Sequence, residues 1–214
     1  MRMFSLFDYT GVMAKPWLEA GYECHLFDIQ HPMKQSTRED GMITHNFDLE
    51  APDLRLFEIL AGEGVAFISC FPPCTDLSIS GARWMKGKGL RALARSIDYF
   101  ATSAEICELL GAPYLIENPR STISTYWRSP DHSFHPCHYS GYAHGDEMYT
   151  KETNLWVGNG FVMPPKQMVN DLFDEPDKTY IHYQPPGEER ANIRSATPMG
   201  FAKAVYLFNS EENQ

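Results

Sequence analysis

The sequence predicts an α/β fold, a mostly parallel sheet with helices on both faces. Three stretches predict it. Residues 3–28 read in order as strand, glycine turn, helix, strand and acid. Val65-Ala66-Phe67-Ile68 is a short apolar run halted at Pro72-Pro73, as a buried strand is where proline removes a ladder donor. Leu90 to Leu110 carries apolar residues at helical spacing, then passes Gly111 and Pro113 into the apolar run Tyr114–Ile116. At 214 residues the chain reads as one domain over 1–214, long enough for a sizeable core.

Met3–Phe7 is the first strand. A turn at Gly11 and a helix to about Ala20 follow, ended by Gly21. Tyr22–Phe27 is the second strand, closed by Asp28. Backbone amides in such a turn face a ligand, and the acid accepts both hydroxyls of a ribose. Residues 53–62 read as a helix with Leu54, Phe57, Leu60 and Ala61 on one face. Asp48 reads as an N-cap for that helix. A strand over 65–70 delivers Cys74. A thiol just past a buried strand sits where α/β proteins bind ligands, and its thiolate is a nucleophile. The plainer reading is a small buried hydrophobe.

The helix over 90–110 buries Leu93, Ile97, Phe100, Ala104 and Ile106, and the next strand delivers Glu117-Asn118-Pro119. Residues 120–150 read as irregular and carry His132, His135, Cys137, His138 and His144. Their spacing matches no zinc pattern and Pro136 interrupts it, so no metal is expected. Residues 158–193, rich in glycine, proline and acids, read as loop. A last helix opens near Arg194 and runs to about Phe208.

The net charge of −10 is unfavourable for a nucleic-acid partner, but its distribution is uneven. From Leu77 to Ile97 there is no acid, while Arg83, Lys86, Lys88, Arg91 and Arg95 are basic. Acids gather at Asp171, Asp174, Glu175, Asp177, Glu188 and Glu189. A basic stretch directly after Cys74 reads as a phosphate-facing loop. No run reaches the ~18 apolar residues that a membrane span needs. Five cysteines without regular spacing suggest a reducing compartment, so the expected location is the cytoplasm.

Pro73-Cys74 with Ser78 four residues on, followed after another strand by Glu117-Asn118-Pro119, resembles the cytosine-C5 DNA methyltransferases. That family carries a Pro-Cys nucleophile motif and then a Glu-Asn motif, each after a sheet strand. Its opening motif, Asp-Leu-Phe-Ala-Gly-x-Gly-Gly, falls on Ser5 to Val12, where Leu6, Phe7 and Gly11 match, Ser5 replaces the acid and Asp8 introduces one three places later. The family's second motif falls on Leu18-Glu19-Ala20-Gly21, and its Gln-x-Arg-x-Arg motif falls on Thr150–Val157, with Lys151 and Thr153 where the arginines stand. The segment from Arg194 to Ala202 resembles its last motif, a helix closing the cofactor pocket beside the first strand.

The resemblance implies a Rossmann-like, S-adenosylmethionine-dependent methyltransferase. Cys74 would be the nucleophile that adds to C6 of cytosine and Glu117 the partner of N3. Phe7, Asp8, Gly11, Asp28, Ile29, Asp48 and Pro72 would line the cofactor site. Ser78, Arg83, Asn118, Pro119, Lys151 and Thr153 would hold the DNA and its flipped base. The family's separate target-recognition domain has no room here, so sequence discrimination is expected to be poor or borrowed from a partner protein. Two alternatives stay open: C5 modification of another pyrimidine substrate or with an altered cofactor, and a non-catalytic binding protein of methyltransferase ancestry.

Overall fold

The computed structural model describes residues 1–32, 34–50, 52–78, 87–143, 147–169, 176–178 and 195–210. Arg83, Lys86, His144, Arg194, Asp171, Asp174, Glu175, Glu188 and Glu189 lie outside them.

Among the described residues one eight-stranded sheet organises the chain. Its strands are β1 (Arg2–Leu6), β2 (Glu23–Phe27), β3 (Gln35–Thr37), β4 (Ile43–His45), β5 (Val65–Cys70), β6 (Tyr114–Pro119), β7 (His132–Phe134) and β8 (Thr153–Gly158). They lie in the order β3-β4-β2-β1-β5-β6-β8-β7. The five strands from β4 to β6 are parallel; β3, β8 and β7 join antiparallel. The chain moves outward from β1 through β2 to β4, then restarts on the other side at β5. The order therefore reverses between β1 and β5, and the crevice beyond their carboxyl ends is the expected ligand site.

Alternation along the strands sends Met3 to one core and Phe4 and Leu6 to the other. On the first face lie α1 (Lys15–Glu19), a 3-10 helix (Pro136–Tyr142) and α5 (Met199–Asn209), where Trp17 stacks on Phe67 at 4.9 Å and Phe134 on Phe201 at 4.1 Å. On the second lie α2 (Leu54–Leu60) and α3 (Leu90–Leu110), which bury Leu56, Leu60, Phe100 and Ile106. Helices cover both faces, as a parallel sheet requires.

Several expectations need correction. The buried face of α2 is Leu56 and Leu60, whereas Leu54 and Phe57 are exposed. Asp53 caps it, its carboxylate accepting from the Arg55 amide at 2.8 Å, so Asp48 is not the cap. Residues 120–150 are more regular than read, holding α4 (Ile123–Tyr126), β7 and the 3-10 helix. Arg91 and Arg95 stand on α3 rather than in a loop. Arg95 pairs with Glu50 and Lys88 with Asp76, so part of that positive charge is already neutralised. Finally, α5 starts at Met199, because Pro198 holds an extended conformation at its cap and disfavours helix at Thr197. The Glu147 carboxylate takes over the capping, accepting from the amides of Met199 and Gly200.

Candidate active site

β5 ends at Cys70, and the Phe71 amide still donates to the Leu6 carbonyl at 3.0 Å. Pro72 and Pro73 then turn the chain out of the sheet. The Cys74 carbonyl accepts from the amides of Leu77 and Ser78, at 3.1 and 2.9 Å, closing a single turn with the thiol at its head. All five cysteines are thiols; four are buried and Cys74 alone is half-buried. Loss of water pushes Cys24 up to about 12 and raises Cys107 and Cys137 as well. Those three are chemically quiet, and Cys74 is the thiol a ligand can reach.

β6 runs to Pro119, so Glu117 and Asn118 are inside the strand and not just beyond it. Antiparallel β8 holds them there, pairing Glu117 with Leu155, Asn118 with Asn154 and Pro119 with Thr153. The β5–β6 ladder has already ended at Cys70–Ile116, which is where a proline is tolerated. The Asn118 amide group donates to the Pro72 carbonyl at 3.0 Å, tying the Glu117 strand to the Cys74 turn. Ser78 bridges Ser121, and the Thr122 amide donates to Leu77 at 3.0 Å.

Glu117 is half-buried, and its Oε1 is buried without a partner. Removal from water pushes its carboxyl above the ordinary range, opposed by the nearby Lys151 charge. Asn118 Oδ1, Ser121 Oγ and Thr122 Oγ1 are likewise buried and unpartnered. Buried polar atoms are almost always bonded, so four such atoms within residues 117–122 mark a place fitted for a polar ligand. Ser121 and Thr122 were not singled out from sequence; two ordinary hydroxyls after a proline give no signal until the strand end is placed. Thr153 is buried beside Pro119, its hydroxyl donating to the Lys151 carbonyl at 3.3 Å.

The opposite side of the crevice is built differently. Phe7 leaves β1 with φ 56°, a conformation few bulky residues adopt, and its ring meets Tyr99 edge-on at 5.4 Å. Asp8 is buried. Its carboxylate accepts from the Ser5 hydroxyl at 2.7 Å, the Thr10 hydroxyl at 3.0 Å and the Gly11 amide at 2.8 Å. Ser5 also meets the Ser69 hydroxyl at 2.8 Å, across the β1–β5 seam. Gly11 has φ 76°, and a Cβ there would sit 2.6 Å from the Met42 sulfur. The turn is thus locked from beneath, with Asp8 facing its own backbone.

Asp28 is buried at the end of β2, with Oδ1 accepting from the Gln30 amide at 2.8 Å. Burial pushes it up, partly offset by that bond. Ile29 beside it is 62% exposed, an apolar surface at the mouth of the crevice. Asp48 is exposed and accepts from the Glu50 amide at 3.0 Å. His31, missed in the sequence, is buried between these parts. Its amide donates to the Asp28 carbonyl at 3.3 Å, its ring tilts against Tyr9 at 5.5 Å, and its Nε2 has no partner. Burial pushes His31 down, opposed first by Asp28.

The structure therefore brings Cys74, Ser78, Glu117, Asn118, Pro119, Lys151 and Thr153 to one side of the crevice and Phe7, Asp8, Gly11, Asp28 and Ile29 to the other, with Pro72 between. Arg83 lies outside the described residues. Among those described, no three His, Cys, Asp or Glu side chains gather as a metal site, and no helix is long and apolar enough to cross a membrane.

This is the fold of the Rossmann-like methyltransferases. No family model matches the chain, and no curated protein matches it. A solved structure does: a protein provisionally described as a DNA modification methyltransferase encoded within a prophage (E. coli), with TM-score 0.50 and 13% identity. The match covers 87% of this chain and 55% of that one, so this chain spans about half of that protein's length. At this identity the likeness is one of fold.

Proposed function

We propose that the chain is a compact, phage-type S-adenosylmethionine-dependent methyltransferase acting at C5 of cytosine in DNA. The observation that carries the reading is the 3.0 Å bond from Asn118 to Pro72, which couples the turn bearing Cys74 to the strand bearing Glu117. The cofactor fits the β1–β2 side of the crevice. Asp28 has a carboxylate oxygen at the strand end for a ribose, and exposed Ile29 offers an apolar surface for a base. Asp8 supports the turn and does not itself reach for the ligand. When bound, S-adenosylmethionine supplies the electrophilic methyl group that C5 takes up.

The chain's own residues do the rest. The Cys74 thiolate adds to C6, which moves an electron pair towards C5 and N3. Glu117, whose carboxyl burial pushes above the ordinary range, shares a proton with N3 as negative charge builds there and takes it back when the thiolate leaves. Lys151 lies close enough to limit how far that carboxyl rises. After methylation a base takes the C5 proton, the C6–S bond breaks, and Cys74 leaves as thiolate. The target base must be out of its stack to meet a thiol in this crevice. In this reading 1–214 is one catalytic domain, and sequence discrimination is poor or supplied by a partner protein.

The test is incubation with S-adenosylmethionine and unmethylated duplex DNA, digestion to nucleosides and mass spectrometry. A 5-methylcytosine peak is expected, absent from Cys74→Ala while cofactor binding stays nearly intact. Methylation by Cys74→Ala would sink the covalent mechanism. A different modified pyrimidine would move the reading to another substrate, such as a small nucleotide or RNA, which the −10 net charge fits as easily as duplex DNA.

A further inference from the structure

Directly after β6 the chain makes the short helix α4, and at its end stand Tyr126 and Trp127, 61% and 49% exposed. Two large aromatics side by side in water are costly unless something covers them. They are also held still. Ile123 is buried in the second core, the Thr122 amide is bonded to Leu77, and Trp127 meets Phe100 edge-on at 5.8 Å. The Arg128 guanidinium lies 4.6 Å from the Trp127 ring centre and donates to the Val157 carbonyl at 3.1 Å. Trp156 in turn donates to the Arg128 carbonyl at 2.8 Å. The pair is presented on a rigid base.

Charge says what kind of surface would cover it. Residues 118–130 hold Arg120 and Arg128 and no carboxylate, within a chain of net charge −10; Arg128 is ion-paired with Asp131, so the positive charge offered to a ligand is chiefly that of Arg120. Arg120 is exposed. The segment is continuous with the candidate site, since Ser121 bridges Ser78 one turn beyond Cys74. Aromatic faces beside arginines, next to a crevice that takes a base, suit unpaired nucleotides, whose bases stack on rings whatever their sequence.

We propose that Tyr126 and Trp127 form a stacking platform for a nucleotide flanking the modified base, splayed from its own stack. The proposal rests on the reading that Cys74 and Glu117 act on a nucleic-acid base. A platform of this kind grips without reading base edges.

The experiment is a titration of the full chain with a short fluorescein-labelled single-stranded oligodeoxynucleotide, without cofactor, read by anisotropy. A parallel titration with unlabelled oligonucleotide is read by tryptophan emission. Tyr126→Ala and Trp127→Ala should each weaken binding about tenfold. Read in a Trp84→Phe background, Trp127→Phe should keep the affinity and remove the quenching, because the two other tryptophans, Trp17 and Trp156, are fully buried. Leu54→Ala, at an exposed apolar residue on α2, should change nothing. Alanine variants that bind as tightly as the parent, or a parent that binds no oligonucleotide, would overturn the platform. If Trp127→Ala does not fold, Tyr126→Ala decides alone. Binding and quenching that persist while no methylated nucleoside forms would overturn the chemistry of Cys74 and leave the platform standing.

Discussion

Asp8 and Glu117 are acids at the same edge of the same sheet, on opposite sides of the crevice, and they are treated in opposite ways. Asp8 accepts three hydrogen bonds from the turn around it. Glu117 Oε1 accepts none. A saturated carboxylate stabilises the backbone that surrounds it, whereas an unsatisfied one costs stability and is kept for something else. On the function proposed above, Asp8 then belongs to the scaffold and Glu117 to the chemistry.

The largest expected effect tests the Glu117 half. Glu117→Gln removes the proton donor and keeps the shape, and methyl transfer should fall by about 10²–10⁴. Single-turnover kinetics with labelled cofactor would measure it; a near-normal rate would make Glu117 a bystander. Next in size is Asp8→Ala, which leaves the buried Gly11 amide without its partner and takes one bond each from the Ser5 and Thr10 hydroxyls. It should cost about 2–4 kcal/mol of stability, a fall of roughly 5–15 °C in Tm, read by calorimetry. Lost transfer with unchanged Tm would break the comparison, since Asp8 would then serve the ligand.

The smallest effect is in the pH dependence of stability. The folded chain holds the Glu117 proton more tightly than the unfolded chain does, because burial raises its pKa. Its contribution is therefore complete below the ordinary glutamate range and is lost as pH rises through the folded value. Glu117→Gln escapes this loss. The variant should melt above the parent at neutral pH, with the gap shrinking as pH falls into the ordinary glutamate range. A constant gap would mean the carboxyl titrates normally.

Much of this was readable in the sequence, for reasons that differ by element. Leu90–Leu110 was legible to its last residue because twenty-one residues repeat the helical period and Gly111 closes it in the left-handed conformation. Strands β1, β2 and β5 were legible as apolar runs. β3, β4 and β7 have three residues each, too few for a period, and exist because a neighbouring strand completes their bonds. The face of α2 was misread because two turns of Leu and Phe offer more than one apolar stripe. In the site, Cys74 and Glu117 were visible as residue types at strand ends. The Asn118–Pro72 bond, the Ser69–Ser5–Asp8 chain and the buried hydroxyls of Ser121 and Thr122 were not, since each depends on which strand lies beside which.

The docking of α5 has a bearing on how the chain comes to be made. Tyr206 meets Trp17 edge-on at 5.2 Å, and Gly200 lies so near the Tyr139 carbonyl that a Cβ would stand 2.2 Å from it. The first core thus waits for partners almost the whole chain away. During synthesis the β1–α1–β2 unit emerges with the Trp17 face only partly covered, by Tyr22 and then Phe67, until residues near 206 arrive. A ribosome-bound fragment ending before Met199 should therefore remain more protease-sensitive around Trp17 than one in which residues 199–210 have emerged.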